Sequence, residues 1–533
     1  MAPGAGGQNG GIKMKNLQTQ WAQNKMQLLF CLVSTYLWGL AAHAYRFFGN
    51  YVSHDSLNEF HGAIAGNDIK LGSGRVFVPL YRDLLRSDIT LPWLIGILSL
   101  LWIGLAVFLV VRLFKVERKG IVFLTAGIFA VNVSVSSTAA TYLQDLDCNM
   151  FSVLLAVGAV WLWRNWKWGW LAGGVLLAGT LGIYQAYIFV AVTLVMLLSI
   201  LDLLNGEKFS LVFSRGLLAV AMVLLGGLLY CIAMQVILAY SHVSLTKGDY
   251  NSLDQILKLT PSEILTLSIQ AYRDWLDRIL NCYTTYPAVL VKGINLLLFA
   301  AAGGTLVYGL FRRPMGMRER VLCVVLIGLL PLGMNLIYVL IRSESHDLMV
   351  FPIWLFYLLV LLLADWLWKQ WEHRGRLEKA GVFTRTLCML LVGVLLYGHV
   401  QFSNGMYLKK DLEYDAYLSL MTRVVSRMEE REDYVPGQTP VVFAGRPENL
   451  NDIIPGFKEF VNVIGMLSSD VVYYAQPWRF QAYFDYVLGT PVLFAEYDKW
   501  LELQESDAVA AMPSYPAQGC MQMIDGTLVV KLG

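Results

Sequence analysis

Long apolar runs broken by short polar stretches set the rhythm of this chain, and the runs repeat at the length a bilayer demands. A hydrocarbon core about 30 Å thick takes roughly 20 mostly apolar residues of helix. Such runs lie at Met26 to Phe48, Leu91 to Phe114, Ile121 to Leu143, Met150 to Trp163, Gly169 to Tyr184, Ile188 to Leu204, Gly216 to Tyr240, Pro287 to Phe311, Val321 to Ile341, Leu348 to Trp368 and Thr386 to Phe402. The pattern predicts an all-α polytopic membrane protein with about eleven transmembrane helices. Trp93, Trp163, Trp166, Trp168 and Trp368 fall near span ends, where an aromatic belt forms.

The polar breaks give the orientation. Arg112, Lys115, Arg118 and Lys119 share one short loop; Arg164 with Lys167, Lys208 with Arg215, Arg312 to Arg320, and Lys369 to Lys379 mark alternate loops after it. Basic loops stay in the cytoplasm, so these face inward with the N-terminus, and an odd number of spans leaves the tail outside. The expected organisation is a flexible cytoplasmic leader at residues 1–25, a transmembrane region at 26–402, and an extracytoplasmic domain at 403–533. Outer loops at 49–90 and 241–286 are also long enough for structure of their own.

Within those outer segments the periodicity changes. Thr260-Pro261-Ser262-Glu263 has a capping residue, proline at the first helical position and glutamate at the third. Leu265, Ile269, Tyr272, Leu276 and Ile279 then follow at helical spacing, which predicts an amphipathic helix along the membrane surface. Ser56 with Glu59 suggests another capping box, and a short helix carries Arg82 and Arg86 one turn apart. In the tail, Asp411 to Glu432 reads as helix, Thr439 to Ala444 as a buried strand, Trp478 to Leu488 as helix, and Gly519 to Leu532 as a hairpin turning at Asp525-Gly526. A small C-terminal α/β domain fits.

Composition agrees with the spans: 56% hydrophobic and 15% charged residues are too apolar a balance for a soluble chain of 533 residues. Cys31, Cys231, Cys323 and Cys388 lie within spans, and Cys148, Cys282 and Cys520 show no metal-ligand spacing, so neither a zinc site nor a disulfide framework is expected. No glycine-rich nucleotide fingerprint, His-Glu-x-x-His or Gly-x-Ser-x-Gly elbow occurs, which argues against nucleotide-driven transport and ordinary hydrolysis. No nucleic-acid partner and no cofactor are expected.

The charges that remain gather at the outer ends of the spans. Outside the cell no nucleotide sugar is available, so a transferase working there must draw on a sugar carried by a lipid phosphate. Its acceptor hydroxyl needs a carboxylate to take the proton, and the departing phosphate needs cations or hydrogen-bond donors. Asp55, just past the first span, is the acid best placed for the base; it reads equally as a helix cap. Glu59 and Asp83 in the same loop read as surface residues. Arg75 follows Gly72-Ser73-Gly74 and is either a phosphate clamp or one half of a structural ion pair. Asp145 and Asp147, closing the third span, either bind acceptor hydroxyls, hold a divalent cation or end the helix in water. Tyr184 and Gln185 form an outer turn, Gln185 facing a sugar or serving structure. Arg342, Glu344 and His346 share another outer turn, where Arg342 and His346 contact the donor phosphate or Arg342 snorkels to lipid headgroups.

Ser53-His54-Asp55-Ser56, Gly74-Arg75-Val76-Phe77, Tyr142 to Asp147, Gly182-Ile183-Tyr184-Gln185-Ala186, the Arg342 turn and the closing stretch from Tyr515-Pro516 to Leu532 together resemble the bacterial type II glucosyltransferases of O-antigen modification. The resemblance covers nearly the whole chain from about residue 26, and the order of the motifs carries most of its specificity. It implies a GT-C-like transferase that moves a hexosyl group, glucosyl above all, from undecaprenyl phosphate to a surface glycan or lipid-linked glycan, with Asp55 as general base. It also implies residence in the bacterial inner membrane and cooperation with a flippase and a cytoplasmic lipid-sugar synthase. Related chains often carry a second acid beside the first; Ser56 stands there in this chain, which favours a single-base reaction without a metal pair. A flippase or exporter, or a polymerase using Arg273 and Arg278, is the competing reading. A transporter needs ionisable or broken-helix features at the midplane, where only Asn132, Gln235 and Asn335 interrupt the apolar runs.

Overall fold

The computed structural model describes residues 7–53, 56, 64–246, 260–313, 315–342, 345–445, 481 and 483–533, with side chains from residue 23 onward and not at 64–66. Among the described residues, sixteen α-helices come before the first strand: α1 (Gly7–Phe48), α2 (Ile64–Gly72), α3 (Val78–Leu85), α4 (Pro92–Leu113), α5 (Lys119–Ala130), α6 (Val133–Thr141), α7 (Leu146–Asn165), α8 (Gly169–Ile183), α9 (Ile188–Leu204), α10 (Phe209–Ser241), α11 (Pro261–Leu280), α12 (Ala288–Arg312), α13 (Met317–Met334), α14 (Leu336–Ile341), α15 (Leu355–Trp371) and α16 (Arg376–Glu429). Among the described residues, nine helical segments are long and apolar enough to cross a membrane. The other two expected spans differ for local reasons. Gly169–Ile183 is only 15 residues long, and the run from Val321 to Ile341 is divided between α13 and α14 at Asn335, four residues after Pro331. Proline removes a helical hydrogen bond and crowds the preceding turn, so a break there has a cause.

A second break divides the third expected span. Asn132 leaves the helical conformation and its side chain accepts from the backbone N–H groups of Ser134 and Val135, so it ends α5 and caps α6 within one apolar run. The capping box at Thr260 and Glu263 forms with both reciprocal bonds, and α11 starts at Pro261. Two faces of α11 separate cleanly: Ala271, Trp275, Arg278 and Ile279 are buried, while Leu265, Ile269 and Leu276 are exposed. The expected helix after Ser56 falls on residues 57–63, outside the described residues, and the structure resumes with α2.

The last expected span and the first tail helix are one element. α16 has 54 residues, about 80 Å at 1.5 Å per residue, so it extends far past any bilayer core. At the other end of the chain, α1 begins at Gly7, within the stretch expected as a leader. Beyond α16, β1 (Pro440–Ala444), β2 (Leu493–Phe494), β3 (Met521–Ile524) and β4 (Thr527–Lys531) form a sheet in the order β2-β1-β4-β3. β1 pairs in parallel with β2 and β4, and β3 with β4 is the antiparallel hairpin. Asp525 and Gly526 both take positive φ at its turn, as a two-residue hairpin requires. Of the expected helix at Trp478 to Leu488, the described part is residue 481 and 483–488.

Four hydrophobic clusters form among the described residues, and the two largest set the layout. The larger one joins α1 and α3 to α16. The second packs the sheet against the end of α16 through Tyr417, Met421, Val424, Val441, Phe443 and Val530, and it takes in Val52, which follows α1.

Candidate active site

The site grows from the turn between α2 and α3. Gly74 adopts φ +77°, a left-handed conformation natural to glycine, and the reversal brings the Arg75 N–H to the Lys70 carbonyl at 2.9 Å. Neighbouring elements then hold the turn in place. The Phe77 N–H donates to the Gly182 carbonyl at 2.8 Å, an approach that needs glycine, since a Cβ at 182 would lie 2.2 Å from the Phe77 ring. The Tyr230 hydroxyl donates to the Gly74 carbonyl at 2.9 Å. Gln185 donates to the Ser73 carbonyl and to Tyr230, each at 3.2 Å, so its amide is engaged in fixing this loop.

This anchoring delivers three cations to one carboxylate. Asp145, 2% exposed, meets Lys70 Nζ at 2.6 Å, Arg82 Nη2 at 2.9 Å and Arg75 Nη1 at 3.3 Å. Two residues on, Asp147 is wholly buried against Arg86 Nε at 2.7 Å. Arg82 and Arg86 are four apart, so they share a face across the first turns of α7, and the Gln144 carbonyl accepts from both. The two acids also stand at the N-terminus of α7, where unpaired N–H groups favour negative charge. The helix therefore does not end in water at this pair: both acids are buried in ion pairs with the segment from Lys70 to Arg86.

The cluster carries two more positive than negative charges, and one of its cations is open. Lys70 and Arg82 are closed off, whereas the Arg75 side chain is 24% exposed. Its guanidinium stacks over the Tyr184 ring at 4.8 Å. Burial works against its charge, but Asp145, Tyr184, Cys148 and Tyr142 together outweigh it, and its pKa lies above the ordinary guanidinium value.

Arg75 faces a cavity of about 230 Å³, lined also by Tyr142, Asp145, Asn149 and Tyr184 and, from across the bundle, by His346, Leu348 and Met349. The far wall is a short 3-10 turn, Asp347–Met349, with His346 at its N-cap. Ser134 Oγ donates to the Asp347 carbonyl and Tyr187 to that of Leu348. Arg278 grips both sides of His346: Nη1 meets the Asp347 carboxylate and Nη2 the Ser345 carbonyl at 2.6 Å, while Nε meets Asp274 at 2.8 Å. The amphipathic helix α11 therefore fixes a wall of the cavity.

Of the residues singled out in the sequence, Arg75, Asp145, Tyr184 and His346 line this cavity together. Asp147 and Gln185 stand behind it. Arg342 closes α14 with φ +57° and is not among the lining residues; its buried Nε and Nη2 make no hydrogen bond among the described residues. Asp55, Glu59 and Glu344 lie outside the described residues. Ser53, two positions before Asp55, donates to the Thr141 carbonyl, and Ser53 and Ser56 hydrogen-bond each other at 3.1 Å. Among the described residues no three of His, Cys, Asp and Glu converge on a metal site.

Sequence reasoning passed over Lys70, Asn149 and the partnership of Arg82 and Arg86 with the two acids. A signal was present: Lys70, Arg75, Arg82 and Arg86 crowd 17 residues of a loop expected outside, where the positive-inside rule makes such residues scarce. Basic residues kept there have a buried or bound anion to meet.

The matches to known proteins are few. No curated protein and no solved structure matches the chain. One family model does, glucosyl transferase GtrII, over residues 44–363. That stretch is more than half of the chain and holds both walls of the cavity, and the protein belongs to the GtrII glucosyl transferase family.

Proposed function

We propose that the chain transfers a hexosyl group, glucosyl first of all, from a polyprenyl-phosphate sugar to a surface or lipid-linked glycan on the outer face of the bacterial inner membrane, in the manner of GT-C enzymes. The observation that carries this reading is the cavity where Arg75 stands open above a cluster with two surplus positive charges, between Tyr142, Tyr184 and His346. An anionic phosphate suits that surplus, since charge-assisted bonds from arginine to phosphate are short and strong. Aromatic rings and the Asn149 amide suit a sugar.

In the reaction, the acceptor hydroxyl attacks the anomeric carbon as Asp55 takes its proton. The bond between that carbon and the phosphate oxygen breaks, and the lipid phosphate leaves with the electron pair. Arg75 and His346 stabilise the charge that develops on it. The anchoring of Ser53 to Thr141, next to cavity residue Tyr142, supports Asp55 in this role. Arg342 and Glu344 remain proposed donor or acceptor contacts, and the flippase and lipid-sugar synthase remain proposed partners that present the donor.

Reconstitution tests the reading. Purified protein in liposomes with polyprenyl-phosphate glucose and an isolated surface glycan is expected to yield glucosylated glycan and free polyprenyl phosphate. Failure with every lipid-linked hexose, by protein that remains folded, contradicts it.

A further inference from the structure

A second cavity, of about 250 Å³, lies at the other end of the bundle. The outer cavity touches the first turn of α7 at Asn149, and this one touches its last turn at Arg164. The 15 residue steps of α7 from Asn149 to Arg164 separate them by about 22 Å at 1.5 Å per residue. The last turns of α4, α9 and α15 and the first turn of α5 complete its wall.

Its lining is graded. Leu198, Leu362 and Trp366 make an apolar floor, and Lys115, Asn205 and Lys369 form an exposed rim, with Arg164, Asp202 and Asp365 between. Both acids are already answered. Asp202 takes Arg164 in a two-pronged contact at 2.7 and 2.8 Å and Arg215 at 3.4 Å. Asp365 takes Lys369 at 3.0 Å, Arg118 at 3.3 Å and Arg385 at 3.6 Å.

Basic residues at the C-terminal ends of helices oppose the macrodipoles, and ion pairing with two aspartates accounts for most of the cations here. Lys115 is left over. It takes a left-handed backbone, φ +53°, where α4 ends, its amine makes no ion pair among the described residues, and it stands at the cavity rim. Three cations and two carboxylates line the pocket, and Arg118, Arg215 and Arg385 pair with those carboxylates from beside it, so positive charge is in excess at a pocket with an apolar floor. Basic pockets between membrane helices take anionic headgroups in this way.

We infer that this cavity is a binding site for a phosphate-bearing anion, distinct from the outer cavity, with Lys115 and Lys369 as its rim contacts. A lipid headgroup of the adjoining leaflet and a soluble phosphate ester share that chemistry. The inference does not depend on the transfer reaction.

The test uses the full chain purified in neutral detergent, with binding read by native mass spectrometry for dioleoylphosphatidylglycerol, dioleoylphosphatidylcholine and glycerol 3-phosphate. The site predicts at least tenfold tighter binding of phosphatidylglycerol than of phosphatidylcholine. Lys115→Ala with Lys369→Ala should weaken that binding at least fivefold, with helical content unchanged by circular dichroism, and Lys115→Arg should retain it. Displacement of the lipid by millimolar glycerol 3-phosphate assigns the site to soluble phosphate esters; resistance to it assigns the site to the lipid. Equal binding of both lipids with no binding of glycerol 3-phosphate, or binding unaltered in the folded double variant, overturns the inference.

Discussion

Two carboxylates in this protein are each ringed by three cations, and they stand at opposite ends of the helical bundle. Asp145 is held by Lys70, Arg75 and Arg82 at 2.6 to 3.3 Å, and Asp365 by Lys369, Arg118 and Arg385 at 3.0 to 3.6 Å. The formal charges are identical. The surroundings are not: Lys70 and Arg82 are 7% and 3% exposed, whereas Arg118 and Lys369 are 38% and 44% exposed. Two arginines beside Asp365 also stack on Trp368, at 3.9 and 4.2 Å. Burial turns the first cluster into a fixed frame with one open cation. Solvent and the indole ring let the second adjust. Identical ion counts therefore set geometry at one end and mostly balance charge at the other.

The comparison breaks most readily at Asp145. Asp145→Ala leaves three buried or half-buried cations facing one another, and losing one partner of a buried ion cluster costs about 3–5 kcal/mol. Thermal unfolding in detergent should show this as a large fall in Tm, and an unchanged Tm would remove the cluster's claim to be a frame. Arg75→Ala removes the open cation while Lys70 and Arg82 still answer the acid. Transfer should fall about 10²-fold, or about 2.7 kcal/mol, with a smaller loss of Tm than Asp145→Ala; a variant with full activity would dissociate the cavity from catalysis.

Asp365→Ala sharpens the contrast from the other end. Two of its three partners, Arg118 and Lys369, are open to solvent, so the expected loss is about 1 kcal/mol, with transfer unaltered. A loss equal to that of Asp145→Ala would erase the distinction. The smallest effect concerns the α11 cap. The Thr260 hydroxyl and backbone N–H hold the exposed Glu263 carboxyl below its ordinary value. A depressed carboxylate contributes above its unfolded pKa and loses that contribution as pH falls through the folded one. Hydrogen exchange at the start of α11 should therefore quicken slightly under acid conditions, and Glu263→Gln should blunt the change.

Local signals were legible in the sequence and long-range ones were not. Thr260-Pro261-Ser262-Glu263 and Asp525-Gly526 state their own geometry, because a capping box and a two-residue turn are settled within four residues. The apolar runs marked, for the same reason, the nine helical segments among the described residues that are long and apolar enough to cross a membrane. Asn132 and Asn335 break helices inside runs whose hydropathy continues on both sides, so periodicity passes over them. The Asp145 cluster joins residues 63 to 75 positions apart, a separation that leaves no repeat to read. Only the surplus of basic residues in a loop expected outside hinted at it. Arg75, Tyr184 and His346 were legible as separate candidates; their meeting in one cavity needed the fold.

Mass spectrometry of surface glycan tests the central claim most directly, in cells carrying the wild-type gene, Asp55→Asn or no gene. The account predicts a hexose present with wild type and absent from the other two, with the Asp55→Asn protein still folded in the membrane. A hexose undiminished in Asp55→Asn would contradict it.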